Sequence, residues 1–408
     1  MNATTVDLEH AQPPRTTPGA AWSAVGAMSM CVAMLIAAEF MPVSLLTPIA
    51  ADLHASQGAA GQAIAVSGLF AVAASLLIPS LGSRFDRRHV LLALTTVMLA
   101  SLLLIAAAPN FAFLMLARAL LGLTIGGFWA LATATLMRLV LRNRVPTALG
   151  VMFTGNALAT TFAVPMGSYL GALIGWRGAF WALVPLVGVT LVWQWCSLPS
   201  MPPQGATPVR KVLGLLRRKN IAVAMLGIVL MYAGAFAAFT YFRPFLTASA
   251  HVTVPHLSLL LLALGGAGFA GTYGATASVG RHLYALIRWV PLAQGAATIV
   301  LLAAGPLLWL VAVAIMAWGA LNAAVPVAWS TWLSREVSDE PELGGGLMVA
   351  TIQLSIMLGA ALGGLLLDNV SLVATFLVSA GLLFLATVIV GNGDRLRPAS
   401  TLSGRSEG

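Results

Sequence analysis

Charge is scarce in this 408-residue chain: Asp, Glu, Lys and Arg together make up 8%, against 59% hydrophobic residues. An ordinary soluble domain carries about 25% charged residues. So few charges cannot cover a water-facing surface, which excludes a soluble enzyme or binding module and points to bilayer hydrocarbon. Acids are scarcer still, 12 against 21 basic residues. Four of them crowd between Glu336 and Glu342, and Asp7, Glu9, Asp394 and Glu407 lie in the end segments. Asp52, Asp86 and Asp368 sit at the ends of apolar runs, leaving Glu39 as the one acid at membrane depth. Only two cysteines occur, Cys31 and Cys196, without metal-ligand spacing or a disulfide framework. There is no His–Glu zinc pattern, no nucleophile elbow and no pair of buried acids, so the sequence reads as no enzyme, with no cofactor and no metal. A channel would need rings of like charge or a repeated filter, and neither is present. Lysine is nearly absent (Lys211 and Lys219), a composition hinting at a GC-rich bacterial genome. No cleavable leader is evident, since the first apolar run is too long for one.

What is abundant is long apolar runs. Twelve are legible, roughly at 23–46, 59–81, 90–108, 112–137, 147–173, 179–198, 221–247, 256–279, 289–305, 307–332, 344–367 and 371–391, each near the ~20 residues that a spanning helix needs. The expected fold is therefore an all-α membrane protein of twelve transmembrane helices in two six-helix bundles. The longest polar connection falls mid-chain. It divides the sequence into an N-terminal tail (1–22), a first bundle (23–198), a central loop (199–220), a second bundle (221–391) and a C-terminal tail (392–408). The formal charge of +9 does not form a nucleic-acid-binding stripe. With both termini placed in the cytoplasm, eighteen of the 21 basic residues fall in inner segments, as the positive-inside rule requires. The exceptions are Arg118, Arg177 and Arg243. His251 and His256 read as exposed outer-loop residues.

Several segments carry a family resemblance. Between runs 2 and 3 stands Pro79-Ser-Leu-Gly-Ser-Arg-Phe-Asp-Arg-Arg-His-Val90, similar to the loop signature of the major facilitator superfamily, in which glycine, aspartate and paired arginines lock helix ends. Arg84, Arg87 and Arg88 match. Pro79 and Asp86 stand where glycine is usual, and Ser83 where the acid is usual. Both a gating clasp and a plain positive-inside cluster account for these arginines. Arg118-Ala-Leu-Leu-Gly-Leu-Thr-Ile-Gly-Gly127 resembles the fourth-helix signature of the proton antiporters, and Ala163-Val-Pro-Met-Gly167 with Gly175-Trp-Arg-Gly-Ala-Phe180 resembles the fifth-helix one. The chain thus resembles the drug and sugar:proton antiporter branch. Within it, Glu39-Phe-Met-Pro-Val-Ser-Leu-Leu-Thr-Pro48, Gly126-Gly-Phe-Trp-Ala-Leu131 and Val325-Pro-Val-Ala-Trp-Ser-Thr-Trp332 are similar to proton-coupled exporters of purine ribonucleosides. The resemblance implies a monomeric carrier of the bacterial inner membrane, with small-molecule substrates (inosine, adenosine, guanosine) and protons as partners. Sugars and amphipathic drugs stay open as cargo, as does a membrane sensor that transports nothing.

The residues themselves suggest where coupling occurs. Arg118 is the natural partner of Glu39: helix counting from the two run ends puts both at about the same depth. Charges at such depth usually pair or face a cavity. The two form a proton-coupling pair, or a static bridge that fixes helix packing, or Glu39 lies at the lipid interface. Candidate substrate-wall residues recur at helical spacing: Tyr232, Phe236 and Phe239, with Arg243 beyond them as an outer gate or interfacial anchor; Trp318, Asn322 and Trp329; Asn156 and Thr160; Trp129, eleven residues after Arg118; and Gln353, a lone amide. Aromatics supply stacking faces and amides supply hydrogen bonds, although aromatic stripes of this kind more often serve helix packing. Pro244 is expected to kink its helix.

Overall fold

The computed structural model describes residues 18–81, 84–141, 144–203, 209–248, 252–304, 307–337 and 339–397. Most of both tails, Ser83, Arg142 and His251 lie outside them. The described chain is helical: α1 (Pro18–Asp52), α2 (Gln57–Leu81), α3 (Arg87–Ala106), α4 (Phe111–Leu139), α5 (Val145–Ser197), α6 (Val209–Gly214), α7 (Lys219–Phe239), α8 (Phe242–Ala248), α9 (Val254–Ala304), α10 (Leu308–Glu336), α11 (Pro341–Asn369) and α12 (Leu372–Val390). Among the described residues, ten helices are long and apolar enough to cross a membrane. Two of these, α5 and α9, are double length. A straight helix of 53 residues would run about 80 Å, far beyond a bilayer core of ~30 Å. Each is folded at one non-helical residue, Gly175 (φ 74°) in α5 and His282 (φ −123°, ψ 30°) in α9. Counting their arms separately gives the twelve spans expected from the sequence.

Two details differ from the apolar runs. The seventh run is interrupted at Thr240–Tyr241, between α7 and α8. Pro244 is the cause: it lacks an N–H, and its ring opposes the carbonyl four residues back, that of Thr240. The central connection, read as a polar loop, contains the short helix α6 and a 3₁₀ turn, Leu215–Arg217.

Consecutive spans alternate in direction, so the bundle has two ends. The near end carries both limits of the described chain, the ends of α2, α4 and α10, the starts of α3, α5 and α11, and the fold of α9 at His282. The far end carries the ends of α1, α3, α8 and α11, the starts of α2, α4, α9 and α12, and Gly175. Large apolar side chains such as Leu116, Leu173, Trp195, Tyr273, Trp309 and Val388 are more than half exposed. An apolar surface of that extent marks contact with something other than water.

Buried side chains form two cores. One belongs to the first half alone and is built on α1, α3, α4 and α5, with Ala71 of α2. The other fills the second half but also takes in Val43, Leu46 and Ala50 of α1, Ala60, Ile64 and Ala65 of α2, and Val164 of α5. These borrowed residues lie in the far-end portions of their helices. The two halves are therefore packed together at the far end.

Candidate functional site: a buried carboxylate at the seam between the halves

Glu39 lies in α1 and is 4% exposed; Arg118 lies in α4 and is 1% exposed. A guanidinium this deep must find acceptors. Arg118 finds four: Nε donates to the Ala63 carbonyl (3.0 Å), Nη1 to the Ala38 carbonyl (2.9 Å), and Nη2 to the Ser67 hydroxyl (2.9 Å) and the Glu39 backbone carbonyl (3.4 Å). The fork thereby ties α4 to α1 and α2. α4 comes close enough because Gly122 and Gly126 lie against the backbone carbonyls of Ser67 and Ala71, where any Cβ would collide.

The Glu39 carboxylate makes no ion pair with this fork. Among the described residues the pairs closer than 4 Å are Arg177–Asp52 and Arg218–Asp339. Arg118 acts on Glu39 through its field, and the side chain that reaches the carboxylate is Gln353 of α11, in the other half. Gln353 is itself 5% exposed. The acid thus sits on the seam, with an amide of the opposite half beside it. Next to it, Phe40 packs on Phe236 (ring centroids 5.7 Å apart) and edge-on to Phe239 (5.8 Å) of α7.

The other candidates separate into two groups. Trp129 stacks on the exposed Phe153 (5.9 Å, 28°), one turn from the half-buried Asn156 and Thr160, whose hydroxyl donates to the Asn156 carbonyl (3.0 Å). These residues lie together in the first half. On α7, Phe236 and Phe239 pack on Phe40 beside the acid, and Tyr232 is buried one turn before Phe236. Trp318 is fully buried, stacked on Phe239 (6.0 Å, 4°), with its Nε1 donating to Thr298 Oγ1 (3.2 Å). It also packs edge-on to Phe242 (4.9 Å). Asn322 is half-buried and accepts a hydrogen bond from Gln294 Nε2 (3.2 Å). Trp329 is 1% exposed, set edge-on to Trp332 and close against Gly227, inside the second half. Phe40, Phe153, Gln294 and Ser67 were not singled out from sequence. Phe40 follows the buried acid directly and Ser67 lies in α2 opposite Gly122, but no spacing rule marks Phe153 or Gln294.

The described bonds of the loop motif run within the first half. Asp86 is the N-cap of α3, accepting from the Arg88 N–H (2.8 Å). It also accepts from the Met201 N–H and the Ser200 hydroxyl. Arg88 donates to the Trp195 carbonyl (2.7 Å) and its guanidinium lies over the Trp195 ring (5.8 Å). Arg138 donates to the Pro202 carbonyl, the Arg87 N–H donates to the Met201 carbonyl, and Arg84 is exposed. These bonds tie the segment after α5 to its own half. Burial pulls the Asp86 carboxyl upward, but its hydrogen bonds with Ser200, Met201 and Arg88 outweigh this and hold it below the usual carboxylate range.

At the far end Arg243 of α8 donates to the Ser44 carbonyl of α1, across the seam. Gln62 Nε2 also donates to the Ala361 carbonyl there (3.1 Å), and nearer mid-span Thr161 Oγ1 donates to the Gly265 carbonyl (3.3 Å).

Twelve spans in two halves, with a shielded acid and base where the halves meet and a seam bonded at one end, define a polytopic membrane carrier. The chain belongs to the Major Facilitator Superfamily, whose family model matches residues 28–342. It is 46% identical over 372 residues to a Pseudomonas aeruginosa protein described as transcription regulatory protein OpdE, covering 90% of this chain and 92% of that one. It is 39% identical over 379 residues to the purine ribonucleoside efflux pump NepI of Salmonella typhimurium, covering 93% and 96%. Among solved structures, a variant of the nucleoside transporter NupG superposes with a TM-score of 0.72 at 14% identity, over 90% of this chain and all of that one. The protein is accordingly a multi-pass membrane protein of a transporter family.

Proposed function

We propose that the protein exports purine ribonucleosides across the bacterial inner membrane in exchange for protons, by alternating access, with both termini cytoplasmic. The observation that carries this reading is Glu39: a shielded carboxylate at the seam, held next to an arginine whose hydrogen bonds go elsewhere, and touched by an amide of the opposite half. Because Arg118 is satisfied by carbonyls and Ser67, protonating Glu39 does not dismantle its packing. The acid is free to gain and lose a proton as the halves rock. Substrate enters from the near, cytoplasmic side between Trp129, Asn156 and Thr160 of one half and Tyr232, Phe236 and Phe239 of the other, stacks on the aromatic faces and is released at the far end. Glu39 then takes a proton from outside and delivers it inward. Similarity to NepI over nearly the whole chain supports the purine class.

Everted vesicles energised with a pH gradient test this. Inosine is expected to accumulate, and Glu39→Gln to abolish the gradient-driven part while the protein still inserts. Gradient-driven export by Glu39→Gln at the parental rate would remove Glu39 from the mechanism. Success with arabinose or a cationic dye, and failure with inosine, would move the cargo to sugars or drugs. A second reading, a membrane sensor, is favoured by the description of OpdE. Counterflow of labelled inosine separates the two, since a sensor shows none.

A further inference from the structure

Asp368 stands where a helix least favours an acid. It lies in the last turn of α11, next to the partial negative charge of the helix's own carbonyl end. No basic residue in that turn offsets it. The compensation comes from the other half. Oδ1 accepts from the Gly58 N–H (3.0 Å) and Oδ2 from the Ser56 hydroxyl. Ser56 in turn caps α2, its Oγ accepting from the Ala59 N–H (2.9 Å). The carboxylate therefore neutralises the first turn of α2 from across the seam, a region whose N–H groups lack helical partners. The approach depends on glycines: a Cβ on Gly58 would strike Asp368 and the Gly364 carbonyl, and one on Gly364 would strike Tyr241, Gln62 and the Gly58 carbonyl. Both helix ends are served only while the halves touch at the far end.

We propose that Asp368 is the far-end latch of the transport cycle, a residue that sets the equilibrium between the far-closed and far-open states by capping α2 in trans. Opening the far end costs the carboxylate its donors and α2 its cap. The latch makes the closed arrangement the resting one, against which substrate must work. This rests on the alternating-access reading above, but not on cargo or protons.

Ala65 provides a reporter. It lies on α2 among side chains of the second half and is 6% exposed in the far-closed state. In purified protein with Cys31→Ala and Cys196→Ser, Ala65→Cys is expected to react slowly with a maleimide. Adding Asp368→Asn should raise the rate about tenfold, the scale of a charge-assisted cap, and Asp368→Glu should restore part of the protection. A second pair, Ser56→Cys with Asp368→Cys, should crosslink on oxidation and stop transport until reduced. An unchanged labelling rate in Asp368→Asn, or full transport by the crosslinked pair, overturns the latch. Loss of inosine transport in the parent alone would count against the cargo and leave the latch standing.

Discussion

At the scale of single residues, each basic side chain that breaks the positive-inside pattern has a partner that explains it. Arg118 is ligated by three carbonyls and Ser67. Arg177 pairs with Asp52, donates to the Ala108 carbonyl (2.8 Å) and stacks over Trp176. Arg243 reaches the Ser44 carbonyl. The sequence marks all three by their position, because charge at depth or on the outer side is rare. It does not show their partners, because backbone carbonyls leave no sequence signal. That is why Arg118 and Glu39 read as a pair from spacing, while the carboxylate is met by Gln353 instead. Lysine cannot reproduce the forked geometry of Arg118. Arg118→Lys is expected to destabilise the protein by about 3 kcal/mol, as buried charge-assisted hydrogen bonds are lost, measured by unfolding in detergent. A change below about 0.5 kcal/mol would show that the fork is not structural.

At the scale of elements, the twelve spans were legible from hydropathy because each is set by bilayer thickness. Their breaks were partly legible. Gly175 stood in a Gly-Trp-Arg-Gly string, and Pro244 announced the kink it makes. His282 carries no such mark. The close seams between helices show a regularity that the residues do not. In the first half Gly122 and Gly126 of α4 lie against α2; in the second, Gly319 of α10 lies against the Leu264 carbonyl in the first arm of α9. The fourth span meets the second in each half, the relation expected of a repeated bundle. These seams rank substitutions. Gly126→Ala drives a methyl into the Ala71 carbonyl, whereas Gly175→Ala meets nothing within 4 Å and suffers only from its positive φ. The first is expected to lower the melting temperature more than the second, whose cost is about 1–2 kcal/mol; the reverse order would mean that the α2–α4 seam relaxes easily. The hydrogen bonds of Asp86 give a pH signature. Asp86 is held below its ordinary value by its hydrogen bonds. A carboxylate lowered in the folded state adds stability above its unfolded pKa, about 3.9, and loses it as pH falls through the lower folded value. The difference in melting temperature between parent and Asp86→Asn should therefore be constant from pH 5 to 8 and shrink below about pH 4. A difference that peaks in acid would reverse the assignment.

At the scale of the whole molecule, the two halves share a core at one end, and hydrogen bonds from Gly58, Gln62 and Arg243 join them there. Membrane orientation, read from arginine counts, and this one-sided closure are independent pieces of information; the second could not be read from sequence, since it depends on which helices of opposite halves touch. The ligation of Arg118 has an electrical consequence. Its charge is fixed and Glu39 does not cancel it by contact, so the moving site carries zero net charge when Glu39 is ionised and one positive charge when it is protonated. On the proposed cycle, export of a neutral nucleoside is blind to membrane voltage, and the inward return of the proton is not. Each charge crossing gains about 2.3 kcal/mol per 100 mV. An interior-negative potential should therefore hasten the empty carrier's return and leave the loaded step untouched, so that voltage governs how soon the carrier can be reloaded.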